Sequence, residues 1–181
     1  MRQRNREYFE KIPGSPEPIS FEIKRRVSFN EVDIMGIVWY GRYAIYFEQA
    51  QTELGRRCGL SFQDYYSSGL RAPIVKFHVD YFQPLILDEE FTVQASYVWS
   101  EGAKLCIEYC VIKQDGSIAS RGYTVQMFID ASDGAKKAPL GIDPEQGRRI
   151  DGNTNQPYAV APELLEKLRR QWKDGKFKCL K

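Results

Sequence analysis

Residues 90–130 read EFTVQASYVWSEGAKLCIEYCVIKQDGSIASRGYTVQMFID, and this stretch determines which kind of sheet the chain can build. Strand-forming residues cluster in three successive segments, at 90–100, 103–113 and 117–130. The dipeptides Glu101-Gly102 and Asp115-Gly116 separate these segments and are typical of tight hairpin turns. Because so short a turn cannot join parallel strands, the three strands must pair antiparallel.

A long helix is predicted upstream of these strands. Apolar side chains recur every three or four residues from Trp39 to Cys58, which places them on one face of a helix, and Gly59 provides a stop. Residues 72–82 form another strand candidate, and a first strand begins at Ile19. One long helix and one antiparallel sheet must bury each other, so we predict an α+β fold in which a curved sheet wraps around the helix.

The chain length of 181 residues suits one domain with additions at both ends. Residues 1–18 end in a Pro-rich and Gly-rich segment, which predicts a flexible arm. Residues 19–131 would hold the domain itself. Residues 132–181 would form an extension that is rich in Gly, Pro, Asp and Asn and closes with an amphipathic helix at 162–173.

The composition argues against several classes of function. The 26 Lys and Arg residues nearly balance the 24 Asp and Glu residues, so we expect no nucleic-acid partner. No apolar run is long enough to span a membrane, and the N-terminus lacks the apolar core of a signal peptide. Four cysteines without a CxxC pair and a single histidine form no metal site. We therefore expect a cytoplasmic protein that uses neither a metal nor a cofactor.

The loop before the long helix is the best candidate for a reactive site. Residues 37–41 contain no Ser, Thr, Asp or Asn, so the first amides of the helix need another acceptor, either water or a ligand oxygen. Gly36 permits a tight turn that would bring Asp33 back toward the same point. A carboxylate that faces unpaired amides is a workable hydrolytic pair, although an Asp before a helix is more often a simple turn residue.

Two motifs in the chain resemble those of a known enzyme family. They are Asp33-x-x-Gly36-x-Val38-x-Tyr40-x-x-Tyr43 with Tyr46-Phe47-Glu48-x-Ala50 after it, and Val79-Asp80-Tyr81-Phe82-x-Pro84-Leu85-x-x-Asp88. Both are similar to motifs of hot-dog fold acyl-CoA thioesterases. The closest type is the 4-hydroxybenzoyl-CoA thioesterase family, including its Tol–Pal-associated acyl-CoA thioesterase branch.

The resemblance implies a hot-dog fold and hydrolysis of an acyl-CoA or aroyl-CoA thioester to the free acid and CoA. Asp33 would be the catalytic carboxylate, either as nucleophile or as general base. The backbone amides of Tyr40 and Gly41 would hold the thioester oxygen. Tyr43 and Glu48 are weaker candidates for substrate contact, and a half-buried Glu48 more often has a structural role. The resemblance also implies a homodimer or a homotetramer with active sites across the subunit interface.

Three other functions stay open at this point. The chain could be a non-catalytic hot-dog module that binds acyl-CoA as a sensor or carrier. It could be a thioesterase that acts on acyl-carrier-protein instead of CoA thioesters. It could also be an interaction domain that works through its C-terminal helix, in which case deletion of residues 159–181 would abolish partner binding.

Overall fold

The computed structural model describes residues 8–130, 142–143, 148–149 and 162–175. The strands are β1 (Ile19–Arg26), β2 (Leu70–Arg71), β3 (Ile74–Tyr81), β4 (Glu90–Val98), β5 (Lys104–Lys113), β6 (Ile118–Met127), β7 (Ile129–Asp130), β8 (Ile142–Asp143) and β9 (Arg148–Arg149). The helices are α1 (Arg42–Cys58), α2 (Phe62–Ser67) and α3 (Glu163–Lys173), and a 3-10 turn covers Phe29–Glu31.

The main sheet contains five strands in the order β1-β4-β5-β6-β3, and all neighbouring strands are antiparallel. Both predicted hairpin turns are confirmed, because Gly102 and Gly116 adopt positive φ angles of 71° and 80°. The strand predicted over 117–130 is interrupted. Phe128 turns its N–H to the Ala103 carbonyl at 2.8 Å, and β7 then pairs with β2 in a separate small ladder.

Helix α1 packs on one face of the sheet, which confirms the α+β prediction. The Phe47 ring stacks on the Tyr109 ring of β5 with 4.4 Å between their centroids. Gly122 on β6 leaves room for this stack, since a Cβ there would lie 2.6 Å from the Phe47 ring and 2.3 Å from the His78 carbonyl oxygen. The helix ends as predicted, with Gly59 in the left-handed conformation.

Part of the outer face of the sheet, opposite α1, is covered by Tyr8 and Phe9 of the N-terminal arm. We predicted a flexible arm over residues 1–18. In its described part, Tyr8 donates its hydroxyl to Asp80 Oδ2 at 2.7 Å and its backbone N–H to Glu108 Oε1 at 2.9 Å. Phe9 packs beside Tyr123 in a small apolar cluster on this face. The sequence carried a signal for this contact, because the outward side chains at the end of β6 are apolar and need cover.

Helix α3 extends the main core instead of standing apart from it. Leu165, Leu168 and Trp172 are buried in the same cluster as the α1 side chains. The Trp172 Nε1–H donates to the Glu17 carbonyl at 2.8 Å, which joins α3 to the arm. The helix predicted at 162–173 is therefore confirmed. The remainder of the predicted extension lies outside the described residues, except for the β8–β9 pair.

Candidate active site

The loop between β1 and α1 folds back on itself as a short hairpin. Val32 pairs with Val38 in an antiparallel bridge, and the Trp39 N–H donates to the Glu31 carbonyl at 2.9 Å. The Glu31 side chain is buried and accepts the Ser28 N–H at 2.8 Å, which anchors the start of the hairpin. The loop is therefore a defined hairpin with Asp33 in its turn. Sequence reasoning missed the anchoring role of Glu31.

Asp33 lies at the tip of this hairpin and is half-buried. Its carbonyl accepts the Gly36 N–H at 2.9 Å, and Gly36 has a φ of 73°, which confirms the predicted tight turn. Its Oδ1 accepts the Met35 N–H at 2.8 Å. Asp33 thus serves as a turn residue, but only one of its carboxylate oxygens is used. Within the described residues no hydrogen bond is made to Oδ2, so this oxygen remains available for chemistry.

The start of α1 has the open amides that the sequence predicts. Gly41 is the N-cap, and no side chain caps the helix there. The backbone N–H groups of Tyr40 and Gly41 donate to no other described residue. The Trp39 ring covers Gly41 so closely that a Cβ would lie 2.2 Å from it, so glycine permits this packing. Two adjacent N–H groups at a helix start can donate hydrogen bonds to a carbonyl oxygen or an oxyanion.

A residue that the sequence analysis did not assign, Tyr81, holds this peptide in place. Its hydroxyl donates to the Tyr40 carbonyl at 3.0 Å. The Tyr40 C=O and the Gly41 N–H belong to one planar peptide group, so this bond also sets the direction of the Gly41 N–H. Burial raises the pKa of Tyr81, which keeps its hydroxyl protonated as a donor. The second motif contains Tyr81, but no spacing rule connects it to residue 40.

The two weaker site candidates have different surroundings. The Tyr43 side chain is 3% exposed and packs edge-on against Tyr81 with 5.0 Å between ring centroids, so it supports the site from within the core. Burial raises the pKa of Tyr43 to about 12. Glu48 is exposed rather than half-buried. It lies on the second turn of α1 and lines a groove between α1 and the sheet.

This groove has a volume of about 850 Å³. It runs from Ala44 and Ile45 on the first turn of α1 toward α2 and is bordered by Phe77 of β3. Its lining begins at Ala44, three residues after Gly41 in the chain. Among the described residues, no group of His, Cys, Asp and Glu side chains could hold a metal ion. In the same part of the chain, no helix is long and apolar enough to cross a membrane.

Comparison with known families identifies the fold and the class of chemistry. The model of the thioesterase-like superfamily matches residues 27–168, which is most of the chain. The chain belongs to this superfamily. The resemblance seen in the two motifs, the hot-dog fold and the assignment as a thioester hydrolase are thereby confirmed. This thioesterase carries both the Asp33 hairpin and the open helix start inside the matched region.

Individual relatives agree with this membership. The thioesterase is 31% identical over 99 residues to a candidate esterase from Aquifex aeolicus. The aligned segment covers 55% of this chain and 77% of that protein. It is 22% identical over 105 residues to the acyl-CoA thioester hydrolase YbgC of Escherichia coli, covering 58% of this chain and 78% of YbgC. The structure of Slr0204, a 1,4-dihydroxy-2-naphthoyl-CoA thioesterase from Synechocystis, shares the fold with a TM-score of 0.59 and 23% identity, covering 71% of this chain and 93% of Slr0204.

Proposed function

We propose that this thioesterase hydrolyses an acyl-CoA or aroyl-CoA thioester to the free acid and CoA. The observation that carries the proposal is the pair of unpaired amides at Tyr40 and Gly41, next to a hairpin that presents a carboxylate with one free oxygen. The names of YbgC and Slr0204 describe action on CoA thioesters, which supports the choice of donor. An acyl-carrier-protein thioester is the second candidate donor.

The proposed chemistry needs only groups from this chain. The thioester oxygen accepts hydrogen bonds from the Tyr40 and Gly41 amides. The Asp33 carboxylate removes a proton from water as the water oxygen attacks the carbonyl carbon. The carbonyl electrons move onto oxygen, where the two amides stabilise the charge, and return to expel the CoA thiolate. In the nucleophilic variant, Asp33 attacks the carbon first and the C–S bond breaks to release the CoA thiolate. Water then cleaves the resulting anhydride to the free acid and restores the Asp33 carboxylate. A thiolate is a good leaving group, since thiols have a pKa of about 8.5.

A thiol-release assay tests this function. The purified full chain would be incubated with short, long and aromatic acyl-CoAs and with acyl-carrier-protein, and free thiol would be read with a disulfide reagent. We expect turnover of CoA thioesters, and the panel would rank the acyl groups. Tight acyl-CoA binding without release of thiol would contradict hydrolysis and favour a non-catalytic binder.

Tyr81→Phe should lower kcat by about tenfold and leave KM nearly unchanged. Direct loss of one oxyanion donor costs about 10²–10³ in kcat, and here the donor remains but its orientation is less well held. The phenyl ring keeps the packing against Tyr43, so the thermal midpoint should change little. Tyr123→Phe on the outer face of the sheet is the matched control. An unchanged kcat in Tyr81→Phe would show that its hydroxyl does not orient the Gly41 amide.

We also propose that the thioesterase forms a homodimer through the edge of β3. The two edge strands of the sheet are β1 and β3. The exposed side chains of β1 are all polar or charged, which protects that edge from pairing with another strand. They are Ser20, Glu22, Lys24 and Arg26. The β3 edge instead exposes apolar side chains, including Ile74, Phe77 and Tyr81. Size-exclusion chromatography with light scattering at micromolar concentration should give a mass of at least twice 21.0 kDa. A monomer would contradict this part of the proposal.

A further inference from the structure

Glu31 is a buried charged residue at the open end of the Asp33 hairpin, and the proposed chemistry does not use it. Its exposed fraction is 7%. Among the residues whose burial the structure describes, it is the only Asp or Glu that is buried. Burying a carboxylate costs free energy, and replacing a buried ion pair with apolar side chains is often neutral or even stabilising. Stability alone therefore gives little reason for a charge at this position.

The two carboxylate oxygens of Glu31 accept hydrogen bonds from two different donors. Oε2 accepts the Ser28 N–H at 2.8 Å, and Oε1 accepts from Arg25 Nη2 at 3.4 Å. Arg25 lies in β1, and Ser28 follows the end of that strand by two residues. Because the Arg25 and Glu31 side chains are both largely buried, solvent screens their attraction less than that of a surface pair. The carboxylate thus ties the hairpin to the end of β1.

The backbone of Glu31 belongs to the hairpin that leads to the proposed catalytic groups. Its carbonyl accepts the Trp39 N–H at 2.9 Å, across the hairpin. Along the chain, Asp33 follows Glu31 by two residues, and Tyr40, whose N–H is one of the open amides, follows Trp39 directly. A displacement of Glu31 would therefore be passed on to both the carboxylate and the amides.

Tyr46 connects the same cluster to α1. It is 0% exposed, and the Arg25 guanidinium carbon lies 5.5 Å from the centroid of its ring. Burial and, after it, the negative charge of Glu31 raise the pKa of Tyr46, so its hydroxyl stays protonated. The cluster of Arg25, Glu31 and Tyr46 therefore joins β1, the hairpin and α1.

We propose that Glu31 is a positioning residue, which fixes the place of the Asp33 hairpin relative to β1 and α1 through its bonds to Arg25 and Ser28. A misplacement of about 1 Å in groups that position a reaction can lower its rate by about 10²-fold. Glu31 acts through Asp33 and the open amides and does not itself touch the substrate. This inference rests on the proposed thioesterase function.

Glu31→Gln is the sharpest test, because a glutamine side chain has one acceptor oxygen where glutamate has two. It can keep only one of the two bonds, and its NH₂ group then meets the other donor. We expect kcat to fall by about tenfold with KM nearly unchanged, less than the full cost of a misplaced group because one bond remains. Hydrogen-exchange mass spectrometry should show faster exchange of the amides in residues 28–41.

The double substitution Arg25→Met with Glu31→Leu removes the whole ion pair. Apolar side chains of similar length can fill the space, so the thermal midpoint should change by less than about 4 °C. The hairpin loses both side-chain bonds, and kcat should fall by about 10²-fold. A purely structural role predicts the opposite result, in which the midpoint changes and the folded variant keeps the wild-type kcat.

The matched control is Glu166→Gln on α3. Glu166 also bonds an arginine, Arg169 Nη1 at 3.0 Å, and within the described residues only its Oε1 is bonded, so glutamine can keep this contact. Its kcat and its exchange over residues 28–41 should equal those of wild type.

A wild-type kcat in Glu31→Gln would overturn the inference, whether or not the double variant folds. If wild type hydrolyses no acyl-CoA, the proposed function fails, and the exchange measurement then decides the role of Glu31. Unchanged exchange over residues 28–41 in Glu31→Gln would show that this carboxylate does not hold the hairpin in place.

Discussion

Asp33→Asn is expected to lower kcat by about 10²–10⁴, which is the usual contribution of a positioned proton acceptor, with little change in KM. The Asn side chain keeps an oxygen that can accept the Met35 N–H, so the turn at the tip of the hairpin should be preserved. The carboxamide can neither take a proton from water nor attack the thioester carbon. The loss should therefore appear in the chemical step, measured by thiol release at saturating acyl-CoA.

The chain offers a close control for this substitution. Asp115 in the β5–β6 hairpin also accepts a backbone hydrogen bond on its Oδ1, from the Ser117 N–H at 2.8 Å. Asp115→Asn makes the same chemical change in the same kind of turn, away from α1. Its activity should equal that of wild type. Equal rates for Asp33→Asn and wild type would rule out Asp33 as the catalytic carboxylate.

Leu54→Ala should reduce the free energy of unfolding by about 2–5 kcal/mol, the range measured for large-to-small substitutions in closely packed cores. Leu54 is 0% exposed and lies on the face of α1 that packs against the sheet. The neighbouring strands are tied by their hydrogen-bonded ladders and cannot collapse into the space left behind. Urea unfolding followed by circular dichroism should show a lower midpoint with an unchanged slope.

Leu87→Ala makes the same substitution at a side chain that is 43% exposed, and its cost should stay below about 1 kcal/mol. A similar cost at both positions would mean that α1 does not form the centre of the core. Such a result would also question the groove, because α1 supplies one of its walls.

Most of the fold could be predicted because its signals are local. Two-residue turns require antiparallel neighbours whatever surrounds them, and the apolar spacing from Trp39 onward predicts one helix face. The prediction was less accurate where long-range contacts compete with local preference. Trp39 continues the helical spacing but precedes α1, because its backbone belongs to the hairpin, where its N–H donates to the Glu31 carbonyl.

Part of the candidate site was also predictable. The absence of capping side chains before α1 can be read directly, and it leads to the open amides at Tyr40 and Gly41. The contribution of Tyr81 could not be found in this way, since 41 positions separate it from Tyr40 and only the pairing of β3 in the sheet brings its hydroxyl to that carbonyl. The hydrogen bond between Tyr109 and Gln51 could not be predicted for the same reason, because β5 and α1 meet only in the tertiary structure.

The amino-acid order alone therefore established the helix, the hairpins, the antiparallel pairing and the turn at Asp33, all of which depend on interactions between residues close in the chain. The tertiary structure determined which distant side chains meet: Tyr8 with Asp80 on the outer face, Tyr81 with Tyr40 at the helix start, and Tyr109 with Gln51 in the groove. Such pairs depend on strand order and register, which arise only when the sheet closes around α1 and the whole core packs at once.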